Sequence, residues 1–252
     1  MGWVPNTATF SLQDVVNVTG GTSLTAAFAN AQDRYFDSAY KGTKTSLMNF
    51  RNYGYDEVMI DRDDNYCADI YNSGSTWSTV RGAGSGSLNG ADPYRIRTQN
   101  SAGTYIISRT FLGFDLSSLA GKSAVDLEYR HGLRAYSGAP SLKVVNGTQS
   151  SPVGTGDYDA FTFGDEIISA SVNIISPNGS LSYYLNAVAS SSELSTISST
   201  YFGAMFKIAL LEAYDNNDYA PSSGEDVKYE LWKAGEVLAN TITNPYLWIR
   251  YR

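Results

Sequence analysis

Apolar and polar positions follow two different rhythms, and the change falls near residue 56. Before it, Ser11-Leu12-Gln13-Asp14 offers a helix cap with an acid three residues on, and Leu12, Val15 and Val16 follow at helical spacing until Gly20-Gly21. Thr22-Ser23 opens a second helical stretch to Phe36, with Leu24, Phe28, Ala31 and Tyr35 on one apolar stripe. Two such short helices do not hold together alone, so the stripe must dock on the following domain or on another subunit. From Ser38 to Tyr55 the chain reads as loop or extended, with aromatic residues at Tyr40, Phe50, Tyr53 and Tyr55.

Beyond residue 56 the period becomes two. Ser123 to Arg130 alternates, with Val125, Leu127 and Tyr129 on one face and Asp126, Glu128 and Arg130 on the other. Lys228 to Trp232 does the same, Tyr229 and Leu231 pointing inward. Tyr105–Asp115 and Ala204–Tyr214 are apolar on both faces, which predicts central strands covered on each side. Asn72-Ser-Gly, Asn89-Gly90, Asn146-Gly147 and Pro177-Asn-Gly signal turns, and Leu185–Ser199 reads as an irregular or short helical crossover. In the closing Pro245–Arg252 segment, Leu247, Ile249 and Tyr251 share one face, and Tyr246, Trp248, Arg250 and Arg252 the other. That second face carries the residue types enriched at interface hot spots; either it meets a partner or the N-terminal helices cover it. Many short strands, frequent turns and few helices predict a mainly β fold, a jelly-roll-type β-sandwich preceded by a small helical module.

Composition sharpens this picture. The 252 residues suffice for one large β domain or two smaller domains, and 19 Tyr and 23 Gly suit strands and turns. A net charge of −7, without clustered Lys or Arg, argues against nucleic acid as partner. The longest apolar stretch, Met205–Tyr214, is broken by Lys207 and Glu212, so no membrane insertion is expected. The first residues lack the basic start and apolar run of a secretory signal, and the Asn17, Asn146 and Asn178 triplets are what an Asn/Ser/Thr-rich chain produces by chance.

Candidate chemistry is sparse. The single Cys67 and single His131 exclude a disulfide within the chain and the common cysteine and histidine metal clusters. His131 has no Gly-x-Ser-x-Gly elbow to serve and reads as a polar residue at a strand end. Gly82–Ser87 lacks the Gly-Lys-Ser/Thr ending of a phosphate loop and reads as a sandwich loop. Asp61 and Asp63 alternate as in a calcium loop, but Tyr66 stands where glycine is expected; Asp215 and Asp218 form a second acidic cluster. No cofactor is expected beyond a structural calcium at one of these, with solvated acidic loops as the plainer reading. Trp77, Tyr94, Tyr105 and Tyr136 are the aromatic candidates for stacking on sugar rings, against the plainer role of anchoring loops and core.

Two segments carry a resemblance. Thr9–Gly21, Ser23-Leu24, Ala27-Phe28, Phe36-Asp37, Tyr40-Lys41-Gly42 and Ser46–Tyr53 resemble a small module found at the front of bacteriophage and prophage structural proteins. Ser108-Arg109-Thr-Phe-Leu-Gly-Phe-Asp-Leu-Ser-Ser-Leu119, then Ser123–Tyr129, Ala213-Tyr214-Asp215 and Pro245–Tyr251, are similar to strands of jelly-roll domains of the carbohydrate-binding-module type. The resemblance implies a non-enzymatic virion component, a spike, fibre or decoration protein, made in the host cytoplasm. Residues 1–55 would dock it and residues 56–252 would form the projecting sandwich. Its expected partners are other virion proteins, further copies of itself and a host surface glycan. Leu24, Phe28, Tyr35, Phe50, Tyr246 and Trp248 are the assembly-interface candidates. The rival readings are a free carbohydrate-binding module and a glycan-cleaving enzyme.

Overall fold

In the computed structural model, which describes residues 2–90, 93–168, 173–175, 183–232 and 244–252, the chain is mainly β. Its helices are α1 (Leu12–Thr19), α2 (Leu24–Asn30), α3 (Trp77–Arg81), α4 (Ser191–Tyr201) and the single turn α5 (Ala213–Asn216). The strands run β1 (Asp56–Asp61), β2 (Ala68–Gly74), β3 (Ser87–Leu88), β4 (Tyr94–Ser101), β5 (Thr104–Asp115), β6 (Ala124–Ser137) and β7 (Leu142–Gly147). They continue as β8 (Phe161–Ile168), β9 (Asn173–Ile175), β10 (Tyr183–Val188), β11 (Met205–Glu212), β12 (Asp226–Leu231) and β13 (Tyr246–Tyr251). The expected sandwich-like, mainly β fold with a small N-terminal helical piece is the one adopted.

All strand pairs are antiparallel and the sheet folds over on itself. One layer runs β9-β10-β6-β13-β1. The other runs β3-β2-β5-β11-β7-β8. The long strands β5 and β6 make the corner: β12 pairs with the end of β6 and with β4, and β4 pairs with the start of β5. Between the layers lies the main core, with Leu127, Tyr129, Leu185 and Leu247 from one side and Leu112, Phe114, Phe206 and Ile208 from the other. A second core lies on the outer face of the second layer, where Ile107, Phe111, Ala209 and Leu211 are covered by Val80 and Tyr158. β5 and β11 are therefore covered on both faces, as their unbroken apolar runs predict. Within Phe-Leu-Gly-Phe-Asp the glycine is a packing requirement, because a Cβ on Gly113 would stand 2.4 Å from the Cβ of Tyr66.

The N-terminal segment has its own core. Ser11 and Asp14 form the capping box of α1, and Gly20 closes it in the left-handed conformation. Ser23 caps α2 through the Ala26 amide. The second helix stops at Asn30 rather than reaching Phe36, and the Gln32 amide donates to the Tyr53 hydroxyl. Ala31 and Gln32 are extended, a short turn follows at Asp33–Tyr35, and Tyr35 and Phe36 are both buried. They join Phe28, Phe50 and Tyr53 in a cluster with centroid separations of 4.5 Å for Phe28–Phe50 and 4.6 Å for Phe36–Tyr53. Gly54, at φ 107°, lets the chain pass Trp3, whose Cα would lie 2.9 Å from an added Cβ.

Three local expectations need correction. Asn72-Ser-Gly lies inside β2, where cross-strand pairing with β5 overrides the turn signal. Leu185–Ser199 splits into the end of β10 and most of α4, since Leu185 and Ala187 fill the core while Ser190 caps a helix. His131 sits within β6, which continues to Ser137. The Pro177-Asn-Gly turn and Asn178 lie outside the described residues.

Candidate functional site

Three places gather polar and aromatic side chains beyond what packing requires. The first is the outward face of β2, β4 and β5. In β4, Ile96 faces the core, so Arg95 and Arg97 face outward. With Tyr71, Asn89, Ile106 and Ser108 they line a pocket of about 260 Å³. Arg97 is held bidentate by Asp226 at 2.7 and 2.8 Å, and Arg95 lies 3.7 Å from Glu230. Buried Asp69 accepts from the Asn89 side-chain amide at 2.8 Å and from the Arg95 backbone amide at 3.0 Å. Arg97 is thus oriented and neutralised, Arg95 shares Glu230 with Lys228, which reaches that carboxylate at 2.9 Å, and Tyr71 keeps 39% of its surface exposed at the pocket. A flat ring beside amide, hydroxyl and guanidinium groups suits an uncharged polyol ring, which offers both an apolar face and hydroxyls.

The second place is the contact between Trp77 and Tyr105, whose rings meet edge-on at 5.7 Å, with Trp77 Nε1 donating to Asp218 at 3.0 Å. Of the four aromatic candidates these are the pair that meets. Tyr94 is buried in the main core, where its hydroxyl accepts from Arg62 at 2.7 Å and burial pushes its pKa up to about 12. Tyr136, 54% exposed, stands near the end of β6.

The third place is the seam between the N-terminal segment and the sandwich. Arg250 of β13 donates to Asp126 at 2.8 Å and to the Tyr35 hydroxyl at 3.2 Å. Arg252 donates to the backbone carbonyls of Tyr35 and Asn52, both at 3.1 Å. Thus the N-terminal segment covers the Arg250–Arg252 end of the β13 outer face. Trp248 is half-buried between the guanidiniums of Arg130 and Arg250, at 4.2 and 4.1 Å, and Tyr246 is buried. Among the other assembly candidates, Tyr35 and Phe50 are buried inside the N-terminal core, and Leu24 and Phe28 are partly buried against it.

The acidic candidates fall in separate surroundings. Asp61 is exposed at the end of β1, and Asp63 caps the turn Asp64–Tyr66. Asp215 is fully buried, and both its oxygens receive Arg109, at 2.7 Å each. Asp218 lies 3.6 Å from Arg81. Among the described residues no group of three or more His, Cys, Asp or Glu is placed to hold a metal ion.

His131 is fully buried. Its Nε2 faces the Trp232 carbonyl at 2.8 Å and therefore carries the proton, leaving Nδ1 to accept from the Tyr129 hydroxyl at 2.7 Å. Burial lowers its pKa to about 3, so it is a neutral structural group at ordinary pH. No protein-family profile matches the chain, and no curated protein is similar to it.

The sheet-face pocket escaped sequence reasoning for a definite reason. Tyr71 precedes an apparent turn, and Asn89 another, so neither looked like a strand-face residue. The alternation of Arg95, Ile96 and Arg97 was the available signal.

Proposed function

We propose that this chain is a non-enzymatic virion component of bacteriophage type, a spike, fibre or decoration protein. Residues 1–55 attach it, and the sandwich holds a saccharide of the host surface. The observation that carries the reading is the sheet-face pocket: Tyr71, with Arg95, the Asp226-bound Arg97, Asn89 and Ser108, forms a recognition set without an acid–base pair. Glycoside hydrolysis needs two opposed carboxyl groups, and the carboxylates at this pocket, Asp69, Asp226 and Glu230, are engaged by Asn89, Arg97 and Arg95. The N-terminal segment supports the attachment role through its separate aromatic core and its polar junction with the sandwich. A polar junction can be parted without exposing a large apolar surface.

Mass spectrometry of purified virions tests the attachment role. The full chain should be present in fixed ratio to the major capsid protein, and a chain lacking residues 1–55 should fold and stay off the particle. Incorporation of that truncation would place attachment elsewhere. The oligomeric state is open to sedimentation. With Tyr35 and Phe50 committed inside the chain, self-association would use other surface, such as the exposed Leu12 and Met48 of the same segment.

A further inference from the structure

The seam holds an open cleft of about 520 Å³ whose wall bears Arg34, Lys122 and Arg252 and, among the described residues, no carboxylate side chain. In a chain of net charge −7 this local excess of cations calls for a physical account. Arg34 leans on Asp126 at 3.3 Å, and Asp126 is shared with Arg250, which Glu57 also approaches at 3.6 Å. Lys122 lies over the rings of Trp3 and Tyr251, at 5.5 and 6.0 Å, and makes no salt bridge among the described residues. The hydrogen bonds of Arg252 go to two neutral carbonyls, and the Asp37 carboxylate nearby offsets part of its charge. An adjoining hollow shares Lys122, Ser123 and Arg252 and contains Asp37, whose oxygens already receive the Asn52 side chain at 2.7 Å and the Ala39 amide at 2.9 Å.

The opposite wall is α4. Ser191, Ser195 and Ser199 recur every four residues and so share one face, and all three are exposed, with the Ser199 hydroxyl donating to the Thr196 carbonyl at 3.2 Å. Ser198, beside them, is committed to the Ala124 amide and the Leu194 carbonyl. The nearest acid on the helix, Glu193, caps the helix start through the Ser190 amide at 2.6 Å and is not part of the wall.

We propose that this cleft binds an acidic saccharide, a sugar unit carrying a carboxylate. The three cations attract the anion, the serine hydroxyls pair with sugar hydroxyls, and the cavity is of ordinary ligand size. Three cations gathered in one open cleft do not make the extended basic stripe that a nucleic acid backbone needs. The site stands apart from the sheet-face pocket and does not depend on that pocket holding sugar.

Calorimetric titration of the intact chain tests the proposal, with a glucuronic-acid-containing disaccharide, its neutral glucose counterpart and inorganic phosphate as probes. In the full-length Tyr71→Ala chain, whose sheet-face pocket is disabled, the acidic disaccharide should saturate one site and weaken with added salt, and the neutral one should bind at least tenfold more weakly. In that background Lys122→Glu should weaken the acidic disaccharide by tenfold or more, and Arg34→Gln and Ser195→Ala by a few-fold. Circular dichroism checks that each variant is folded, and Arg34→Gln carries the test should Lys122→Glu misfold. No saturable binding, equal binding of the neutral disaccharide, or indifference to the charge variants would overturn the proposal. Phosphate binding as tightly as the acidic disaccharide would overturn the saccharide class.

Discussion

In the sandwich, Leu127 and Tyr129 share one core with Phe206, Ile208 and Leu247, drawn from strands as far as 120 positions away in the chain. In the N-terminal segment, Phe28, Tyr35, Phe36, Phe50 and Tyr53 come from within 26 positions of one another and need only short helices and turns to meet. The sandwich gains its order from register and layer packing, so its polar groups must be satisfied by long-range partners such as Arg109 and Asp215. The N-terminal core is local and aromatic, and it meets the sandwich through the Arg34–Asp126 ion pair, hydrogen bonds from Arg250 and Arg252 to Tyr35 and Asn52, and Val125 packed on its edge. A core made of local contacts and joined by a polar seam can fail without taking the other with it.

The largest expected effect breaks the sandwich. Arg109→Met leaves Asp215 buried without its partner and should cost about 3–5 kcal/mol in urea unfolding, with part restored by adding Asp215→Leu. A loss under about 1 kcal/mol would show that this pair contributes little to the sandwich.

Phe50→Ala removes a fully buried ring from the other core, a change of about 3–5 kcal/mol. Here the damage should stay local. Limited proteolysis should cut within residues 1–55 while a fragment from residue 56 onward survives. Simultaneous loss of both parts would mean that the two cores are one cooperative unit.

The third effect is a pH slope. His131 has a folded pKa of about 3, below its unfolded value near 6.5. Between those values the unfolded chain binds a proton that the folded chain refuses, so stability falls as pH drops from about 6.5 towards 3. The slope from this group is roughly 1.4 kcal/mol per pH unit. His131→Gln should remove that part of the acid sensitivity, measured as the difference from the parent chain across pH 4–7. Parallel curves would contradict a neutral, buried His131.

The smallest effect sharpens the comparison at the seam. Arg34 is more than half exposed, so Arg34→Gln should cost under about 1 kcal/mol in the same urea measurement, and N-terminal protease resistance should be retained.

Much of this fold was legible in the sequence. The alternation at Leu127 and Tyr129, the two-sided apolar runs of β5 and β11, the caps at Ser11 and Ser23, and the closing strand all reflect local periodicity. What escaped was non-local or locally contradictory. Arg109 and Asp215 lie 106 positions apart, and nothing in either neighbourhood announces the other. Gly132 and its polar neighbours disguised the continuation of β6 past His131, and the serine-rich α4 has weak amphipathicity for a helix. Tyr71 was hidden because Asn72-Ser-Gly has turn chemistry, whereas seven residues of β2 pair with β5.

The functional reading rests on a sandwich that holds a saccharide and leaves it intact. Its most direct test is to pass the purified chain over an immobilised, uncharged host-surface polysaccharide, recording retention and released reducing ends together. The account predicts retention that Tyr71→Ala abolishes, with reducing ends staying at the blank level. Release of reducing ends, or retention equal for the parent chain and Tyr71→Ala, would contradict it.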